Sequence, residues 1–111
     1  MIKISKTAFR WTITLSRTNK ANAINMEMLR KLNSILDAAK KEEQLRSLIF
    51  TGEGKVFSAG ADLDAVKKNN EITTTTQWEE LSEKIANIPC LTLAALNGTL
   101  AGGAFGMVLA C

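Results

Sequence analysis

The 111 residues contain no histidine, only one proline and only two cysteines. Without histidine, neither a Ser-His-Asp nor a Cys-His mechanism can be assembled within the chain. No side chain has an unperturbed pKa near 7. Acid–base work therefore falls to a shifted carboxylate, a shifted lysine or groups from elsewhere. The two cysteines, Cys90 and Cys111, are too few for a disulfide framework, and a zinc site needs more ligands than they offer. They read as buried thiols in a reducing compartment. No apolar run reaches the ~18 residues that a membrane-spanning helix needs. The N-terminal stretch Met1-Ile2-Lys3-Ile4-Ser5-Lys6 places charge where a signal peptide has its apolar core. A cytoplasmic protein with no membrane partner is expected.

A strong excess of charge of either sign is also lacking. Lysine and arginine number 14 against 11 aspartates and glutamates, a net +3. The basic residues are interleaved with acids, which argues against a nucleic-acid partner. That balance suits a small anionic ligand, or simply a solvated surface. With 46% hydrophobic and 23% charged residues, the composition fits a globular protein and excludes a disordered tail or a collagen-like repeat. The length is that of one domain or part of a larger one.

Phe9 to Ser16 alternates apolar and polar residues and is rich in β-branched and aromatic side chains, so it reads as a strand. Ile2 and Ile4 suggest a short partner strand before it. Arg17 to Asn25 is a polar loop. From Met26 to Lys41 the period becomes helical, with Met28, Leu32, Ile35, Leu36 and Ala39 on one face and Asn25 as N-cap. Leu45 to Thr51 is a second buried strand, followed by a turn at 52–55. Asp62 is placed to cap a helix over Leu63 to Lys68, and Asn69 to Thr75 reads as a mobile polar loop. Gln77 to Asn87 is another amphipathic helix, opened by a capping-box pattern at Thr76–Glu79 and stopped by Pro89. Leu91 to Leu96 is a third buried strand. The order β-β-α-β-α-β-α predicts an α/β fold with parallel β-α-β units.

Ala104 to Cys111 carries no polar side chain. A helix that is apolar all round belongs inside a protein. The reading is an N-terminal fragment of a longer chain. The alternative is a small domain that buries this helix in an oligomer.

Two glycine-containing turns each follow a strand and lead into a helix: Phe57-Ser58-Ala59-Gly60-Ala61-Asp62-Leu63 and Asn97-Gly98-Thr99-Leu100-Ala101-Gly102-Gly103-Ala104. In parallel α/β architecture, such turns lie at the carboxyl ends of strands, where ligands bind. Small residues let a ligand approach the backbone, and two amides converging on one point would stabilise an oxyanion. Ser58 does not fit a nucleophile elbow, because residue 56 is valine.

These turns carry a resemblance. With Ile13-Thr14-Leu15-Ser16-Arg17, Lys20-Ala21-Asn22-Ala23-Ile24-Asn25 and Leu48-Ile49-Phe50-Thr51-Gly52, the chain resembles the enoyl-CoA hydratase/isomerase (crotonase) superfamily along nearly its whole length. The resemblance implies a ClpP/crotonase-like spiral of β-β-α units, of which residues 1–111 are the N-terminal portion of a single domain. It implies a role in fatty acid metabolism on acyl-CoA thioesters, with coenzyme A as part of the substrate and no metal or other cofactor. By resemblance, the amides of Ala61 and Gly103 are the catalytic oxyanion-hole donors. Lys20, Ala21, Ala23, Ala59, Asp62 and Leu63 line the CoA path. Arg17 and Lys20 either meet phosphates or are ordinary surface charges. Homotrimers or hexamers are implied for the full family fold.

One departure matters. The hydratases of the family carry a glutamate three residues after the second oxyanion glycine, and this chain has Gly106 there. A further family carboxylate lies beyond Cys111. The resemblance therefore implies an isomerase or other non-hydratase lyase chemistry rather than a hydratase. The alternative is a non-catalytic acyl-CoA-binding or assembly protein. Glu53, Asp64 and Glu79 read as solvated surface acids.

Overall fold

The computed structural model describes residues 1–64 and 71–111. Six strands are present among them: β1 (Ile2–Lys6), β2 (Arg10–Leu15), β3 (Ser47–Gly52), β4 (Val56–Ser58), β5 (Leu91–Ala94) and β6 (Thr99–Leu100). The helices are α1 (Met26–Lys40), α2 (Glu71–Thr74), α3 (Gln77–Asn87) and α4 (Ala104–Leu109), with a 3-10 turn at Thr18–Lys20.

The main sheet has the order β1-β2-β3-β5. β1 pairs antiparallel with β2, while β2, β3 and β5 run parallel. β4 and β6 form a separate parallel pair. Period-two alternation explains the buried face: Trp11, Ile13 and Leu15 of β2 lie level with Leu48, Phe50 and Gly52 of β3. All of these except Gly52 are buried.

α1 covers that face because its apolar residues recur at helical spacing. Met28, Leu29, Leu32, Ile35, Leu36 and Ala39 are buried in one cluster with the β2 and β3 side chains. Burying a leucine completely contributes about 1.5–3 kcal/mol, and Leu29, Leu32 and Leu36 are all essentially inaccessible. Asn25 caps α1 as expected, its Oδ1 accepting from Met28 N at 2.9 Å. Such a cap is worth about 1 kcal/mol.

Several sequence expectations need correction. The polar loop expected over 69–75 includes the short helix α2, because Ile72 is buried and anchors it. Thr76 does not form the capping box. Its backbone is already helical, and its hydroxyl reaches Glu80 Oε1 rather than the helix amides, while Thr75 Oγ1 accepts from Gln77 N. β4 and β6 were not anticipated; each is too short to show a period. The cysteines are free, but Cys90 is only partly buried and Cys111 is exposed. Of the helix expected over 63–68, Leu63 and Asp64 are helical; the rest lies outside the described residues. The apolar segment 104–111 buries Ala104 and Met107 but exposes Phe105 and Leu109. No described helix is long and apolar enough to cross a membrane.

Candidate functional site

The chain leaves the parallel strands on one side of the sheet, since Leu15 at the end of β2 lies level with Gly52 at the end of β3. Three segments meet there: residues 16–25, the turn at 53–55, and the segment after β5. Two asparagines tie them together. Asn22 accepts from Arg17 N through Oδ1 (2.8 Å) and donates through Nδ2 to Glu53 O (3.0 Å) and Val56 O (2.8 Å). Asn97 accepts from Gly52 N (3.1 Å) and donates to Gly54 O (3.0 Å) and Val56 O (3.1 Å). Asn22 is buried with φ +54° and Ala21 precedes it at φ +51°. Asparagine tolerates this left-handed region better than most residues.

The first glycine turn is held against the 20–24 loop by backbone bonds. Ala59 N donates to Ala21 O (3.0 Å), Ile24 N to Gly60 O (2.7 Å), and Asp62 N to Ile24 O (2.9 Å). The last two form a parallel bridge between Ile24 and Ala61. Ser58, fully buried, donates to Asn22 O (2.9 Å) and accepts from Gly60 N (3.0 Å). It is a structural hydroxyl, consistent with its failure to match a nucleophile elbow.

The second glycine turn presses directly onto the first. Gly60 has φ +94°, and a β-carbon there would lie 2.8 Å from Ala101 O, 3.0 Å from Gly102 Cα and 3.1 Å from Gly103 N. Ala101 N donates to Ser58 O at 3.0 Å. On its other side, Gly103 meets the ring of Trp78, whose Cη2 would stand 3.3 Å from an added β-carbon. The Trp78 indole is fixed by a 2.9 Å bond from Nε1 to Ile72 O. Among the described residues, none accepts a hydrogen bond from the amides of Ala61 and Gly103. Gly106 lies one turn further along, facing Ser82 of α3.

Charge at the site is largely paired. Arg17 is not the surface charge considered from sequence: its side chain is 15% exposed, and Nη1 donates to Asp62 Oδ2 (2.7 Å) and Ala23 O (2.9 Å). Lys20 pairs with Asp64 at 3.1 Å in solvent. Glu53 is more than a solvated surface acid. It accepts from Lys3 Nζ (2.8 Å) and Ser16 Oγ (2.7 Å), and these bonds hold its carboxyl below the ordinary glutamate range. Partial desolvation of the sulfur atoms pushes the Cys90 and Cys111 thiols up even though Cys111 as a residue is exposed, a bond with Thr92 opposing the shift at Cys111.

The site residues expected from sequence thus fall into one neighbourhood. Ala21 and Ala59 share a hydrogen bond, Ala23 and Asp62 share Arg17, Lys20 reaches Asp64, and Ala61 lies beside Ile24. A 310 Å³ groove beside Ala21 is lined by Thr18, Asn22, Gly54 and Lys55 among others. Leu63 stands 73% exposed. Asn22, Asn97, Ser58 and Trp78 are the organising residues that sequence reasoning missed. The signal for Asn97 was its place before Gly98 in the second glycine turn, which the sequence reading used for the resemblance without assigning the asparagine a role. Among the described residues, no three His, Cys, Asp or Glu side chains gather to hold a metal.

The model of the family "Enoyl-CoA hydratase/isomerase" matches residues 10–111. The chain belongs to this family. It is 35% identical over 107 residues to 4-chlorobenzoyl coenzyme A dehalogenase-2 of an Arthrobacter species, covering 90% of this chain and 39% of that protein. It is 27% identical to enoyl-CoA hydratase AKT6-1 of Alternaria alternata, covering 89% of this chain and 33% of that protein. The crystal structure of an enoyl-CoA hydratase from Bacillus anthracis superimposes with a TM-score of 0.88 at 32% identity, over 99% of this chain and 45% of that chain. The fold is therefore of the crotonase type, and the chain spans less than half the length of these relatives. A family that holds a dehalogenase as well as hydratases does not by itself fix the reaction.

Proposed function

We propose that this chain carries the carbonyl-binding part of an enzyme that processes acyl-CoA thioesters. The thioester oxygen is held between the amides of Ala61 and Gly103, which stabilise the enolate formed when an α-proton is removed from the acyl group and its bonding pair passes to the carbonyl. The observation that supports this most is the packing of Gly60 against Gly102 and Gly103. It brings together two turns whose Ala61 and Gly103 amides have no acceptor among the described residues. Donors already in place need no reorganisation as charge develops, and each is worth about 3–4 kcal/mol in the transition state.

The CoA moiety follows the loop Lys20, Ala21 and Ala23 and then Ala59, Asp62 and Leu63. Asp62 contributes through its backbone and its hold on Arg17, since the carboxylate faces the guanidinium. Chemistry other than hydration is favoured by Gly106, which places no carboxylate next to Gly103. The same glycine favours the second reading, an acyl-CoA-binding protein without turnover. Assembly as a homotrimer or hexamer belongs to the proposal and rests on the family resemblance.

Calorimetric titration of the protein with hexanoyl-CoA and with free CoA tests the reading. Tighter binding of the thioester supports a carbonyl site. Equal affinities, or no binding of either, contradict it.

A further inference from the structure

We propose that Arg17 is a positioning residue that couples the CoA-binding loop to the thioester carbonyl site. This rests on the reading of Ala61 as a carbonyl donor. The peptide frame of Ala61 is clamped on both sides by one residue: Gly60 O accepts from Ile24 N, and Asp62 N donates to Ile24 O. Ile24 is the end of the 20–24 loop. The Arg17 guanidinium bonds to the carbonyl just before Ile24, that of Ala23, and to the side chain just after Ala61, that of Asp62. Its own backbone amide is fixed by buried Asn22. One nitrogen, Nη1, therefore closes a ring through Ala23, Ile24, Ala61 and Asp62.

The pair is shielded from solvent, with side-chain exposures of 15% and 9%. Removing one partner of such a pair takes away an ionic contact that solvent replaces poorly. A surface arginine would allow the loop and the Ala61 turn to shift independently. Here a displacement of the loop by bound CoA is transmitted to the amide of Ala61, and a small misplacement of a donor is enough to weaken catalysis strongly.

The test is the infrared difference spectrum of bound hexanoyl-CoA labelled with ¹³C at the thioester carbonyl, recorded with wild type, Arg17→Met, Arg17→Lys and Asp62→Asn. The expected result is a lowered carbonyl frequency on wild type, of which at least half is lost in Arg17→Met and Asp62→Asn. In Arg17→Met the affinity for free CoA stays within threefold, and Arg17→Lys recovers part of the shift. An unchanged carbonyl shift in Arg17→Met or Asp62→Asn overturns the coupling while leaving the carbonyl site standing. Parallel loss of CoA affinity, thermal stability and carbonyl shift in all three variants also overturns it, because it reports only a structural role. Absence of any shift on wild type overturns the carbonyl site itself and the coupling with it.

Discussion

Gly60 and Gly103 are in backbone contact: a β-carbon on Gly60 would stand 3.1 Å from the Gly103 amide nitrogen and 2.8 Å from Ala101 O. Sequence separates them by 43 residues (103 − 60), yet the parallel pairing of β4 with β6 brings their turns together. Gly60 also sits at φ +94°, where side chains are strained. Gly60→Ala is expected to destabilise the fold by about 2–4 kcal/mol, combining backbone strain with a contact against rigid backbone. Urea unfolding measures the loss. A change below about 1 kcal/mol would show that the turns do not pack as described.

Gly103→Ala meets a softer neighbour. Its β-carbon would press on the Trp78 ring at 3.3 Å. The expected outcome is a stability change within about 1 kcal/mol, as for mild overpacking, with a change in Trp78 fluorescence and weaker thioester binding. Gly103→Pro removes the amide hydrogen altogether. It is expected to abolish any turnover and to erase the preference for thioester over free CoA. Retained preference would exclude Gly103 as a donor.

Asn22 and Asn97 share an acceptor, the carbonyl of Val56. Asn22→Ala leaves partly buried backbone groups unsatisfied, which costs about 1–3 kcal/mol, whereas the Asn97 bonds are exposed and Asn97→Ala is expected to cost less. Because both side chains hold the same turn, the double variant is expected to be non-additive by about 0.5 kcal/mol or more. Strict additivity in denaturation would show that they act independently.

Glu53 gives a pH prediction. Its carboxyl is held low in the fold, first by the bonds from Lys3 and Ser16. A carboxylate depressed in the folded state stabilises above its unfolded pKa, and that contribution disappears as pH falls through the folded pKa. Thermal stability of the wild type is therefore expected to fall more steeply on acidification below the ordinary glutamate range than that of Glu53→Gln. The Lys3 pair is exposed, so added salt reduces the difference. Identical acid profiles would contradict the assignment.

The β-α-β order was legible because the core announces itself twice. β2 alternates over six residues and α1 repeats at helical spacing over fifteen, so both elements appear within a residue or so of their expected bounds. α3 coincides with its expected span, since Pro89 fixes its end. What sequence could not show was set by tertiary contacts. Asn22 and Asn97 look like ordinary loop polar residues until the sheet brings both to Val56. Arg17 read as a phosphate contact or a surface charge, and only the folded chain shows it turned inward onto Asp62 and the Ala23 carbonyl. The capping box at Thr76 failed because α2, anchored by Ile72, delivers the chain already helical. The site itself was legible as two glycine turns; their contact was not.

The most direct measurement is the proton–nitrogen NMR spectrum of protein labelled at Ala61 and Gly103. Saturating hexanoyl-CoA is predicted to move both amide protons downfield, as hydrogen bonds to the thioester oxygen form, while free CoA leaves them near their starting positions. If neither amide moves, or free CoA moves both as far, the carbonyl is not held between Ala61 and Gly103.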